Sequence, residues 1–371
     1  MLTLFRLTAG PAAASQPRDR VGRRRLVAIA AGIAGGLAIQ PLTLSQPNSG
    51  LTAVDGLKVG HHSLGARPTG CTVVLAEAGA VAGVDVRGGA PGTRETALLD
   101  PTKTVQEVHA IVLSGGSAFG LDAASGVMRY LSERDIGYDT GIAKVPVVPA
   151  AILFDLGVGN APGTHPTADC GYRAAEAATA EVVPEGNVGA GAGATVGKTG
   201  GPGRAMKGGV GSTSISLPGG LVVAALVAVN AVGDIIDPAT GQVVAGVRTE
   251  DGRGLADART LLRTGQIRRS QPGTNTTIGV VATNARLDQV QATVMAQMAH
   301  DGVARAIAPA HTPTDGDAIF ALSTGTYDAP VDLATVGALA AETMAEAIVR
   351  AVRAATGIPG YPAARDLQAG Q

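Results

Sequence analysis

Short β-branched apolar runs bounded by Gly, Pro and Asn punctuate the chain from residue 51 onward and predict strands at 108–113, 210–215, 221–230, 276–284 and 318–322. The run at 72–86 is interrupted by Gly79 and Gly83 and reads as a hairpin, and 145–156 is a further apolar segment. Helical spacing marks other stretches. Leu121, Ala124, Val127, Met128 and Leu131 share one face, and 172–182 is a short Ala-rich helix. Asp288 caps a helix with Val290, Val294 and Met298 on one side, and 336–355 is amphipathic. Residues 237–274 lose this periodicity and gain charge, which reads as a linker ahead of the strand that opens at Thr276.

Composition changes the picture in three ways. Aromatic residues make up only 2% of 371 positions while Gly reaches 53, so the core must be Ala, Val, Ile and Leu with close backbone approaches. Lys+Arg 29 against Asp+Glu 30 leaves no global field to recruit nucleic acid or an anionic membrane, which favours a small substrate. Cys71 and Cys170 lack metal-ligand spacing and read as buried free thiols. Residues 1–50 stand apart as an extension. There Arg18, Arg20, Arg23, Arg24 and Arg25 precede an apolar run, 26–39, too short for a comfortable membrane span. It is similar to a twin-arginine export signal, but no A-x-A cleavage site follows Ile39, so a disordered or loosely docked extension on a cytoplasmic protein is the expectation.

The candidate chemistry centres on Asn275-Thr276-Thr277 at the mouth of a buried strand. A threonine hydroxyl needs a base, and cutting the chain before Thr276 would supply one as its own α-amine, titrating near about 7.7–8.0. An ordinary turn is the competing reading of these residues alone. Asn230 ends an apolar strand, where its amide must satisfy a loop or face a substrate oxygen. Asp315 and Asp317 flank Gly316 before the next strand and could orient an ammonium group, bind a cation, or form a solvated turn. Ala192 to Thr199 imitates a phosphate-binding loop, but Ala192 stands at its first glycine and Gly200, Gly201, Pro202 and Gly203 forbid the helix that should follow. A nucleotide-dependent transferase is thus a distant alternative, as is a non-catalytic binding protein. Ser114-Gly115-Gly116-Ser117 reads as close strand–helix packing in preference to an anion site.

Taken together, residues 274–284, Asp315-Gly316-Asp317 before Ile319-Phe320-Ala321, Ser114-Gly115-Gly116-Ser117-Ala118-Phe119-Gly120-Leu121 and Asp85-Val86-Arg87-Gly88-Gly89 resemble the self-processing L-aminopeptidase/D-esterase (DmpA-type) family. That family includes β-aminopeptidases and nylon-oligomer hydrolases. The resemblance runs from about Gly56 to Ile348 and implies an α/β fold, an αββα two-sheet sandwich like that of N-terminal-nucleophile hydrolases, occupying 51–371. It implies one internal cut into 1–275 and 276–371, a homo-oligomer (a tetramer of cleaved protomers), a small peptide or amide substrate, and no cofactor. Carried across, Thr276 is the nucleophile, Asn275-Thr276 the cleavage site, and Lys198, Asn230, Asp315 and Asp317 the supporting catalytic residues. Threonine after asparagine resembles the nylon-hydrolase branch. Phe154 stands where some members have a site tyrosine.

Overall fold

Among residues 50–268, 271 and 273–368, which the computed structural model describes, nine strands join into one hydrogen-bonded network, eight of them in a single path. In chain order they are β1 (Lys58–Ser63), β2 (Gly70–Val86), β3 (Thr93–Arg94), β4 (Glu107–Ser114), β5 (Ala150–Ile152), β6 (Gly209–Ser216), β7 (Val222–Asn230), β8 (Thr276–Ala285) and β9 (Ala318–Tyr327). The principal helices are α1 (Ala123–Ser132), α2 (Ala168–Glu176), α3 (Ala258–Arg263), α4 (Gln289–Ala306) and α5 (Leu333–Ala354). The strand order is β6-β7-β8-β9-β2-β4-β5-β3, with β1 on β2.

The path folds over on itself at β2. Residues 71–75 pair with β4, residues 81–86 pair with β9, and the register shifts between Leu75 and Ala80. Alternation along the strands then defines four layers. Ala224, Leu226, Ala228, Ile278, Val280 and Phe320 from one half meet Val74, Ile111, Leu113 and Ala151 from the other in a single buried cluster. The opposite face of β7, β8 and β9, through Ala225, Val227, Val281 and Ile319, packs on α4 and α5. Val73, Leu75, Ala110 and Val112 pack on α1 and α2. The result is the expected αββα sandwich, with its two sheets joined through β2.

Several local expectations are corrected. Residues 72–86 form one long strand, because Gly79 (φ +85°) lies in the register shift between Leu75 and Ala80 and not in a turn, and Gly83 clears space for a helix: a Cβ there would lie 2.4 Å from Thr293 N. The helix placed at 172–182 is α2, beginning at Ala168. Asp288 caps α4 as expected and completes a capping box with Gln291, but the buried face is Ala292, Met295, Ala296, Ala299 and Val303, while Val290 is 56% exposed. Alanines bring α4 close to α5; a Cβ on Gly302 would reach 2.1 Å from Ala341 O. The 237–274 stretch contains a strand, Val243–Ala245, and α3. Cys71 and Cys170 are bridged, with Cα atoms 6.2 Å apart, and no free cysteine remains. β2 and α2 bring together thiols that lie 99 residues apart in the chain. The extension at 1–50 falls, except for Gly50, outside the described residues. No helix among those described is long and apolar enough to cross a membrane.

Candidate active site

Strand register gathers the candidate residues. Antiparallel pairing of β7 with β8 sets Asn230 opposite Thr276, and parallel pairing of β8 with β9 carries the preceding loop alongside, so that Asn275 bridges to Asp315. Asn230, Asn275, Thr276, Asp315 and Asp317 are all buried. Lys198 arrives on the turn after Gly197, whose φ is +72° and where a Cβ would lie 2.1 Å from Gly246 C. Its backbone N–H donates to Val232 O at 2.8 Å.

The peptide bond before Thr276 is held firmly. Gly316 N–H donates to the Asn275 carbonyl oxygen at 2.9 Å, and the Thr276 hydroxyl donates to the same oxygen. Gly316 must be glycine, since a Cβ would come within 2.9 Å of both Thr276 Oγ1 and Ala90 O. Lys198 Nζ donates to Asn230 O and Oδ1, each at 2.8 Å, and to Thr274 O at 3.3 Å. Asn230 Oδ1 also accepts from Thr195 N–H at 3.0 Å, and its Nδ2 donates to Phe154 O at 3.0 Å. The Asn230 amide, a candidate oxyanion donor, therefore commits one hydrogen to a loop carbonyl. Phe154 itself lines the cavity described below.

The paired carboxylates face different partners. Asp317 Oδ1 accepts from Thr277 N–H at 2.6 Å and Oδ2 lies 2.9 Å from His311 Nδ1. Asp315 Oδ2 accepts from Thr312 N–H at 2.7 Å, whereas Oδ1 is buried with no hydrogen-bond partner among the described residues. Burial, reinforced by the charge of Asp317, raises the Asp315 pKa to about 6. Burial lowers the Lys198 amine to about 7 against the opposing pull of Asp315, Asp155 and Asp317. Among the described residues no ion pair joins Lys198 to either carboxylate; its partners are the oxygens of Asn230 and Thr274.

Sequence reasoning assigned no role to several neighbours. Arg67 and Asp155 form a buried ion pair at 2.9 Å, and Asp155 Oδ1 also accepts from Gly116 N–H at 2.9 Å. The glycine turn after β4 thus holds the protein's own carboxylate, and a Cβ on Gly115 would lie 2.3 Å from Asp155 Oδ2. Buried Lys207 donates to Gly191 O, Ala194 O and Gly208 O, tying down the loop that carries Lys198. That loop follows no strand of the main sheet and opens no α-helix, and its lysine turns inward instead of outward to a phosphate. Beside these groups lies a cavity of about 550 Å³, walled by Phe154, Val158, Lys198, Arg268, Asn275 and Tyr361 among others. A larger, shallower cleft of about 900 Å³ shares Tyr361 but none of the candidate catalytic residues.

A family description, peptidase family S58, matches residues 49–365. The chain belongs to peptidase family S58. Similar to this S58 chain is an uncharacterized aminopeptidase of Mycobacterium tuberculosis, 43% identical over 347 residues, covering 85% of this chain and 97% of the relative. A 6-aminohexanoate-oligomer endohydrolase of a Kocuria species is 33% identical over 320 residues, 80% of this chain and 84% of that one. In fold it is similar to a Burkholderia β-aminopeptidase (TM-score 0.63, 24% identity, 87% of this chain and 93% of the other). It is also similar to an L-aminopeptidase D-Ala-esterase/amidase of Ochrobactrum anthropi described as a variant of the Ntn hydrolase fold (TM-score 0.62, 21% identity, 86% and 92%). The S58 chain is accordingly a member of a peptide-bond hydrolase family with an Ntn-hydrolase-like sandwich.

Proposed function

We propose that this S58 chain cuts itself between Asn275 and Thr276 and that the freed Thr276 hydrolyses amide bonds of small peptides or ω-amino amides. The observation that carries this reading is the scissile carbonyl: its oxygen accepts from Gly316 N–H at 2.9 Å and from the hydroxyl of the residue that would attack it. In self-cleavage the Thr276 oxygen adds to the Asn275 carbonyl carbon, Lys198 takes the hydroxyl proton, and Gly316 N–H stabilises the oxyanion. Collapse breaks the Asn275–Thr276 C–N bond, the nitrogen receives the proton, and an ester remains. Water then hydrolyses the ester to an Asn275 carboxylate and a free Thr276. Intramolecular placement supplies effective molarities of about 10⁵–10⁸ M, so no second protease is required.

In the mature chain the new α-amine serves as base for its own hydroxyl. Asp315 Oδ1, buried without a hydrogen-bond partner among the described residues, offers that ammonium an acceptor, and Asp317 holds Thr277 in place. Asn230 keeps Lys198 in position and turns its remaining amide hydrogen to the substrate oxyanion. The cavity supports a small substrate: Phe154, Val158 and Tyr361 give apolar wall, and Arg268 adds a cationic side chain to the lining. A 6-aminohexanoate oligomer is the second reading, favoured by the 33% identical endohydrolase and by threonine as the nucleophile. A panel of L-, D- and β-aminoacyl amides beside such an oligomer separates the two. Thr276→Ala should give an uncut, inactive chain; activity in that variant refutes the mechanism. A homo-oligomer of cleaved protomers belongs to the same proposal, tested by mass in solution.

A further inference from the structure

Asp317 is pinned from two sides. Oδ1 accepts from Thr277 N–H at 2.6 Å, while Oδ2 accepts from His311 N–H at 3.2 Å and lies 2.9 Å from His311 Nδ1. One carboxylate thereby joins the nucleophile's strand to the loop before β9. Because a carboxylate only accepts, His311 Nδ1 must carry the proton. His311 also adopts φ +55°, a left-handed conformation that a β-carbon resists.

Behind the imidazole stands a closed wall. His300 of α4 packs edge-on to it, ring centroids 4.7 Å apart, with its own Nε2 3.0 Å from Asp85 O. Arg87 Nε pairs with Asp85 at 2.7 Å and its Nη2 donates to Gln297 O at 2.9 Å. The charged and titratable groups around His311 are therefore Asp317, His300, Asp85, Arg87 and, two residues before Asp317, Asp315. Burial pulls the His311 pKa down, but the hydrogen bond and charge of Asp317 carry it above the ordinary value. Burial takes His300 down to about 4, leaving it neutral near pH 7.

We infer that His311 is a positioning residue whose Nδ1–H fixes Asp317, so that Asp317 in turn sets Thr277 N–H and the adjoining Thr276 for self-cleavage. This rests on the self-cleavage proposed above. Packing alone, or relief of the local backbone, would be the structural alternatives, and substitution separates them. In His311→Asn the side-chain Nδ2 takes the place of Nδ1 and asparagine tolerates positive φ. In His311→Gly the backbone is satisfied and the donor is lost.

The experiment follows formation of the second chain by intact mass in freshly made full-length parent, His311→Asn and His311→Gly, with melting temperature as the folding control. His311→Asn should cut within about threefold of the parent, and folded His311→Gly at least roughly tenfold more slowly, an effect of about 1.4 kcal/mol. A glycine variant as fast as the parent, or a folded asparagine variant slowed tenfold, overturns the inference. Should the glycine variant not fold, His311→Ala replaces it under the same criteria, and the asparagine rate still decides against the inference if it falls. A parent that never cuts counts against self-cleavage itself; a parent that cuts beside an equally fast glycine variant counts against His311 alone.

Discussion

Replacing Lys198 by methionine keeps most of the buried stem and removes the amine that links Asn230 to Thr274 through contacts of 2.8 and 3.3 Å. The magnitude follows from its titration. An unperturbed lysine, near about 10.4, is neutral in roughly one molecule in a few thousand at pH 7. With the amine lowered to about 7, half of the population can accept a proton, so burial enlarges the base form roughly a thousandfold. Self-cleavage in the parent should accordingly rise with pH, about tenfold from pH 6 to pH 8, as the neutral fraction goes from about one in eleven to about ten in eleven. Lys198→Met should slow cleavage by about 10²–10⁴ and lose that slope. The assay is a time course of intact mass at fixed pH values, with circular dichroism to show that the variant folds. The folded pKa lies below the unfolded one, so the folded chain binds fewer protons and the parent gains stability as pH rises from about 7 toward about 10.4. The variant should lack this gain. A folded Lys198→Met that cuts at the parental rate with the parental slope refutes Lys198 as the base.

Asp315 gives the opposite sign. Its folded pKa of about 6 lies above the ordinary carboxylate value, so its contribution favours folding at low pH and is lost as pH rises from about 4 through about 6. Asp315→Asn in an uncut Thr276→Ala background should raise stability at pH 7 by at most about 3 kcal/mol, a gap that closes below about pH 4 in thermal melts. Gly316→Ala places a Cβ against Thr276 Oγ1 and Ala90 O; it should stop the cut and cost about 1–3 kcal/mol, read by intact mass and denaturant titration. Opening the Cys71–Cys170 bridge frees a loop of 99 residues and should cost up to about 4.7 kcal/mol, seen as a lower melting temperature of Cys170→Ser.

The sandwich was legible wherever alternation met a clear boundary. Strands β7, β8 and β9 emerged from β-branched runs, and their ends carried or adjoined Asn230, Thr276 and Asp317 as expected. Glycine misled where its role was tertiary. Gly83 lies in β2 to admit α4, and Gly79 sits in that strand's register shift, yet both look like turn residues in isolation. The buried face of α4 was misjudged because alanines, weak hydrophobic signals, make the close contact while Val290 faces outward. The Cys71–Cys170 pairing depends on β2 meeting α2, which spacing along the chain does not encode. Within the site, residue types pointed to the hydroxyl, amine and carboxylates. Gly316 acts through its backbone N–H and His311 through a carboxylate six residues away, and neither leaves a mark in composition; the run from His311 to Asp317 was the one available signal.

Central to this account is that Thr276 becomes an N-terminus. N-terminal sequencing and intact mass of freshly purified protein, followed over hours, test it most directly. The account predicts a second chain beginning Thr276-Thr277-Ile278 and ending with the protein's own C-terminus. A folded chain that stays whole across pH 6–8, or that is cut at another bond, would contradict it.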